Sequence, residues 1–485
     1  MTGGRRLAAL TPVLVFTTMV VAIISSLGAP LLPTISAQMH VPLSTAQWSL
    51  TVTLLAGAVS SPVMGRLGDG PRRRGAMIAG LVGVTAGGVV AALASSLWLL
   101  VAGRALQGIG LGLVPLTMAA ARDHLPHERV KPAIALLSVC VAAGVGVGYP
   151  VSGLIADHLG LAAAFWFGAA VSGLALLCVA VVVPSSRARS AGPLDVPGVV
   201  LLTAGLIALL LAVAEGSSWG WGSAAVLGLL LTAAVALTAW VFQQLRSGAP
   251  LVELRLLRHP AVLTGDGCAI VLGVAMYMYM SGVTEFVQAP RSGGYGFSAS
   301  VVVAGLCLVP LSIASFAASR ALPWLTKRVG SRGLLPIGSL AAAAAGLFFA
   351  LFHTSLWQAF VMMAILGVGI GSTSAAIPGL IVGAVPESET GSAMGFYQVV
   401  RYIGFSLGSA LTASILAGHT PPGRHLPTES GYTMVLWIAV AVCIAAAVLA
   451  WLLPTRGEGG RYLDEVIAEE DAELGPAGFI GITTE

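Results

Sequence analysis

The sequence is short of charge. Only 9% of its 485 residues are Asp, Glu, Lys or Arg, against about 25% in soluble domains. So few charges cannot clothe the surface of a water-soluble chain of this length, which excludes that class. Cysteine is scarce too. The five residues Cys140, Cys178, Cys268, Cys307 and Cys443 all fall in apolar runs. Thiols placed in apolar runs read as small buried residues and not as a disulfide framework, and none has zinc-ligand spacing, so no metal site is expected. The eight histidines lie in loops or at the ends of apolar runs, which excludes a histidine relay at mid-membrane depth. Acids inside apolar runs are rarer still, with Asp266 and Glu285 the two that stand out.

What the sequence has in abundance is long apolar segments. A bilayer core needs about 20 apolar residues per helix. Fourteen segments qualify, near 10–36, 45–67, 75–96, 98–121, 131–157, 160–184, 197–214, 223–245, 261–288, 298–320, 333–352, 356–383, 392–417 and 431–453. The basic start "MTGGRRLAAL" leads into an apolar run too long for a signal peptide, so it is expected to be the first span, kept in the product. Of the 24 lysines and arginines, two lie inside spans (Arg104 and Arg401) and two on the far side (Arg291 and Arg424). The other twenty all fall on the side of the N-terminus. By the positive-inside rule that side is cytoplasmic, and both termini are expected there.

Two longer inner connections, 184–197 and 246–260, bracket the seventh and eighth spans. The chain therefore divides as 1–185 (six helices), 186–260 (a linker with two extra helices), 261–453 (six helices) and 454–485 (an acidic cytoplasmic tail). The basic turns "GRLGDGPRRRG" (65–75) and "LTKRVGSRG" (325–333) follow the second helix of each six, an echo expected of an internal repeat.

An arginine in a span costs about 2.5–3.5 kcal/mol on insertion scales, so it faces protein or a wet cavity. Arg104 has Gln107 one turn on, and Arg401 has Gln398 three residues back with Tyr397 and Tyr402 close by. These six are expected to wall a polar cavity. The alternative for each arginine is a structural cation tied to backbone carbonyls. Met276–Met280, with Tyr277 and Tyr279, offers a soft apolar surface. Small residues every four positions (Cys140, Gly144, Gly148, Ser152, Ala156 and Gly367, Gly371, Ala375, Gly379, Gly383) allow close helix approach. "GFSLG" (404–408) matches a nucleophile elbow, but it lies within an apolar helix where no strand-to-helix turn exists. The arginine triplet fits membrane topology better than nucleic acid. No enzymatic activity is expected.

Residues Gly65, Asp69, Arg73 and Arg74 resemble the loop between helices two and three of the major facilitator superfamily, with Gly70-Pro71 as a variant. "RALQGIGLG" resembles that family's fourth-helix pattern, and "GVGVGYPVSGLIAD", with Gly144, Gly148, Pro150 and Gly153, its antiporter-type fifth helix. With fourteen spans, the chain resembles the fourteen-helix drug:proton antiporter group. The resemblance implies an all-α integral membrane fold of two six-helix bundles plus a two-helix insert. It implies a cytoplasmic latch in which Asp69 meets the start of the thirteenth helix near Gly391–Ser392. It implies a secondary active transporter exporting hydrophobic or amphipathic compounds against protons, with the proton gradient in place of a cofactor. A monomer in the plasma membrane is expected, with small hydrophobic molecules, protons and lipid as its partners. The group's first-helix aspartate is missing here, so Asp266 and Glu285 are the proton-carrier candidates. An uptake or lipid-translocating carrier of the same fold, or a non-transporting membrane sensor, are the alternatives.

Overall fold

In hydrocarbon every backbone polar group must be satisfied within the chain, and long apolar segments meet that demand as helices. The computed structural model describes residues 3–27, 31–41, 43–46, 48–185, 195–386, 389–421 and 427–452. The acidic tail expected at 454–485 and the linker residues 186–194 lie outside the described residues. Among the described residues fourteen helical segments are long and apolar enough to cross a membrane.

The first bundle comprises α1 (Gly3–Ser26), the short α2 (Leu32–Met39) and α3 (Leu43–Ala46), then α4 (Trp48–Gly68), α5 (Arg73–Ala92), α6 (Leu97–Gly108), α7 (Leu113–His124), α8 (His127–Leu159) and α9 (Leu161–Val182). A 3₁₀ turn over Ile109–Gly112 joins α6 and α7 into one span. The insert is α10 (Val196–Trp219) and α11 (Ala224–Arg246). The second bundle comprises α12 (Pro260–Gln288), α13 (Val301–Leu306), α14 (Leu308–Leu351), α15 (Leu356–Ala384), α16 (Thr390–Gly418) and α17 (Glu429–Leu452). Short polar side chains mark several starts. Ser96, Asp195, Ser223 and Ser300 each accept a backbone N–H three residues on, and Ser355 closes a capping box with Gln358.

One expectation changes. The first span does not run to residue 36. It ends at Ser26, and α2 starts separately at Leu32 with Pro33 in its first turn, where a proline loses no intrahelical bond. α14 stays helical through the basic segment 325–333, which separates the spans Val302–Ala321 and Gly333–Leu351. Its two halves nevertheless meet α15 in opposite senses. Leu311 and Ser315 touch Gly367 and Gly371 in rising order, whereas Gly338 packs on Thr373 and Ala342 on Gly369 in falling order. The chain therefore doubles back between them, and the basic segment sits at that reversal.

Within the first bundle α1 packs on α8 and α9, and α5 on α9 and α6. Within the second, α12 packs on α16 and α17, and α14 on α15 and α17. The bundles meet along α4–α16 and α7–α16 on one face and α8 with α14 and α15 on the other. The insert lies along the first seam, with α10 touching both α4 and α16.

Candidate functional site

The site begins at the turn after α4. Gly65 ends a helix face with no side chain, so α4 can press on the start of α16. A Cβ there would overlap the Gly391 carbonyl and stand 3.3 Å from Gly395 Cα. Asp69 follows, buried, and its Oδ1 and Oδ2 accept the backbone N–H groups of Gly391 (2.5 Å) and Ser392 (2.8 Å). These are donors of the first turn of α16, which have no intrahelical acceptor. Charged pairs reinforce the clasp. Arg66 reaches Glu389 at 3.3 Å, and Arg122 donates to Thr390 Oγ1 (2.6 Å) and to the Val385 carbonyl (2.9 Å). Arg73 does not cross between bundles. It bridges Asp123 at 2.7 Å and donates to the Gly68 carbonyl, holding the turn against α7. Arg74 donates to the Ala180 carbonyl at 2.6 Å. These ion pairs and hydrogen bonds of the clasp lie at the end of the molecule where the chain begins, and they tie the two bundles together there.

Burial first, and then the Glu389 charge, pushes the Asp69 carboxyl up from its ordinary 3.8 to about 8, against the pull of the two backbone donors and Arg66. Burial raises Glu389 as well. The clasped form thus binds this proton more tightly than an opened, solvated one. Protonation should stabilise the clasp fully below about pH 4, and that stabilisation is lost as pH rises through about 8. Hydrogen exchange of residues 389–395, corrected for intrinsic rates, should therefore accelerate between about pH 5 and pH 8. Asp69→Asn should flatten the profile. A flat wild-type profile would contradict the assignment.

Above the clasp, the second bundle holds a pocket lined from α12, α14, α15, α16 and α17. Arg401 lines it, with its Cζ 5.6 Å from the ring centres of both Tyr397 and Phe405. Tyr397, Met276, Tyr279 and Thr373 complete much of the wall. The arrangement offers one cation, aromatic faces and a flexible thioether, which suits a flat amphipathic molecule.

The expected six-residue wall is only partly assembled. Arg401 and Tyr397 line the cavity, while Tyr402 is buried on the same helix beside Arg401. Gln398 is fully buried, and both ends of its amide lack a partner. Arg104 and Gln107 lie in the other bundle, bonded to each other at 2.8 Å. Arg104 is fully buried and donates to the carbonyls of Ile24 (3.0 Å), Ser49 (3.2 Å) and Ser25 (3.4 Å). It is a cation tied to carbonyls, and this departs from the wet crevice expected around it. The reason is local. α1 stops at Ser26, so its last carbonyls lack the regular helical donor four residues on, and the guanidinium fork reaches two of them, Ile24 and Ser25, together with Ser49 of α4.

Asp266 and Glu285 stand 19 residues apart on α12, about 28 Å at helical rise. Asp266 is buried with Oδ1 unpaired, in a small cleft shared with Glu253, Ser392 and Phe396 close to the clasp. Glu285 is exposed and accepts from Ser281 Oγ at 2.8 Å. Gly144 and Gly148 pack on α1, within the first bundle. Pro150 and Gly153 face α13 at Gly305 and Val302.

Residues 14–409 match the model of the Major Facilitator Superfamily. The chain belongs to that superfamily. It is a multi-pass membrane transporter of small molecules, not an enzyme. This major facilitator is 29% identical over 408 residues to the tetracenomycin C resistance and export protein of Streptomyces glaucescens, across 82% of this chain and 74% of that one. It is 29% identical over 449 residues to the puromycin resistance protein pur8 of Streptomyces alboniger, across 87% and 86% of the two chains. The crystal structure of the human organic anion transporter MFSD10 (TETRAN) matches 93% of this chain and all of that one with a TM-score of 0.63 at 16% identity, a likeness of fold.

Sequence reasoning about this facilitator missed Asp123, Arg122, Glu389 and Thr390. The signal for Asp123 was the "ARDHL" stretch ending the fourth span, where an acid sits beside a topology-setting arginine.

Proposed function

We propose that the chain is a proton-coupled exporter of hydrophobic or amphipathic compounds that works by alternating access. The clasp carries this reading. Asp69 on the Gly391 and Ser392 amides joins the two bundles through few, reversible bonds at one end, as a gate between two rocking bodies requires. The units that rock are 1–185 and 261–453, with 186–260 as the insert. The closed end is cytoplasmic, and the chain sits in the plasma membrane as a monomer with both termini inside. The resistance and export proteins among its relatives support outward transport.

Substrate occupies the cavity beside Arg401 and Tyr397, with an oxygen on the guanidinium and its flat face on the rings. Asp266 carries the proton. It is a buried carboxylate with a free oxygen near the clasp, where its charge state bears on closure.

Uptake of a lipophilic dye into inside-out vesicles should follow an imposed pH gradient and stop when the gradient is collapsed. Asp266→Asn should lower gradient-driven uptake at least tenfold, whereas Glu285→Gln, at the exposed end of α12, should stay within about twofold. Uptake that ignores the collapse rejects proton coupling. Uptake only into right-side-out vesicles reverses the direction.

A further inference from the structure

The insert is more than added bulk beside the seam. A buried polar chain runs from it to the clasp. Asp195, which caps α10, accepts from Gly198 N–H (3.0 Å), Gln243 Nε2 (3.3 Å) and Gln244 Nε2 (2.8 Å). Gln244 turns its other end on the linker, where its Oε1 accepts the Val252 N–H at 3.1 Å. One residue back, the Leu251 carbonyl accepts the Ser392 hydroxyl at 3.0 Å. The backbone N–H of Ser392 is the donor that Asp69 Oδ2 receives. Asp195, Gln244, Leu251, Val252 and Ser392 are all more than nine-tenths buried.

Burial gives this chain its consequence. A buried amide with both ends engaged fixes its partners, because each has no water to turn to. Gly198 belongs to the same device, since a Cβ there would overlap Asp195 Oδ2 and Gln244 Nε2. The rings of Trp240 and Phe396, stacked at 6.3 Å, press α11 onto α16 beside the chain. At the far end the insert is bound differently, by Trp221 Nε1 to Ser414 Oγ at 3.3 Å.

We infer that Gln244 is a positioning residue for the clasp: it sets the linker at Leu251–Val252 so that Ser392 presents its N–H to Asp69. The two extra helices thereby brace the gate closed, and their release would accompany its opening. The transport consequence rests on the alternating-access reading above, but the structural consequence does not.

Hydrogen exchange on the full-length protein in lipid nanodiscs tests it. Gln244→Ala and Ser392→Ala should each accelerate exchange at residues 390–395 about tenfold. The double variant should exchange no faster than the more open single one, because both act through one chain. Ser392→Ala should also loosen 250–253, the reciprocal effect. Trp221→Phe should leave 390–395 unchanged. If Gln244→Ala does not fold, Gln244→Met keeps the bulk and carries the same expectation. Loosening confined to 195–200 and 240–252, or effects that multiply in the double variant, would overturn the inference. Altered exchange at 390–395 with unaltered dye transport would leave it standing and count against alternating access instead.

Discussion

Asp69→Ala is expected to release the clasp and cut transport at least tenfold. The substitution takes the acceptor from two N–H donors at the start of α16, those of Gly391 and Ser392. Each buried donor left unpaired costs about 1–3 kcal/mol. Two of them together amount to about 2–6 kcal/mol, and each 1.4 kcal/mol is a factor of ten in an equilibrium. The closed form should therefore fall in population by between about tenfold and several thousandfold. Arg66 with Glu389 and Arg122 with Thr390 remain, but they are side-chain contacts that keep some solvent access and do not replace the two lost backbone acceptors. Gly65→Leu should give the same phenotype by a different route, since bulk at 65 collides with the Gly391 carbonyl while Asp69 stays intact. Asp69→Asn keeps the neutral form with one acceptor that the protonated carboxyl has in the clasp, and should stay close to wild type at pH 7. Vesicle transport and exchange at 389–395, measured on the same preparations, check all three. Wild-type transport by Asp69→Ala, with 389–395 freely exchanging, would show that the clasp is not a gate.

The legibility of this molecule in its sequence follows distance along the chain. Spans are local, and apolar length alone located all fourteen, because hydrocarbon admits little besides helix. The end of the first was misplaced because "GAPLLPTI" stays apolar after the helix stops, so hydropathy saw no boundary where Pro33 opens a new one. Arg401 and Tyr397 were visible because a cation inside an apolar run needs an explanation, and the soft Met276–Met280 stretch joins them at the cavity. Asp69 and its partner near Gly391–Ser392 came from family resemblance, not from pattern. Nothing in composition pairs Arg66 with Glu389, 323 residues away. Both look like ordinary loop charges until the bundles meet. Gln244 was silent for the same reason. A glutamine at a helix end beside an arginine reads as a solvated terminus, and only the fold buries it between Asp195 and the linker.

Arg104 shows how one charge supports two readings, and its replacement should separate them. As a wall of the transport path it would bind substrate or proton, and Arg104→Ala would spare the fold and stop transport. The geometry predicts the reverse emphasis. The guanidinium holds the carbonyls of Ile24 and Ser25 at the end of α1 and that of Ser49 at the start of α4, with Ile24 and Ser49 buried. Alanine leaves the three without this donor and opens a hole the size of the side chain. Ile24 keeps the Leu27 N–H and Ser49 the Thr53 hydroxyl, but a stranded acceptor costs about 1–3 kcal/mol and the emptied side-chain volume adds about 2–5 kcal/mol, a sizeable part of a stability that is commonly about 5–15 kcal/mol. Thermal unfolding of the purified protein should shift down by 10 °C or more on the order-of-magnitude scale of such losses. Transport per correctly folded molecule should stay within about twofold. Arg104→Lys should rescue little, because a single ammonium lacks the planar fork that reaches three separated carbonyls. Gln107→Ala, which removes one bond at 2.8 Å, should cost far less. An unchanged unfolding midpoint with abolished transport would return Arg104 to the path, and the cavity would then have to extend into the first bundle in another state.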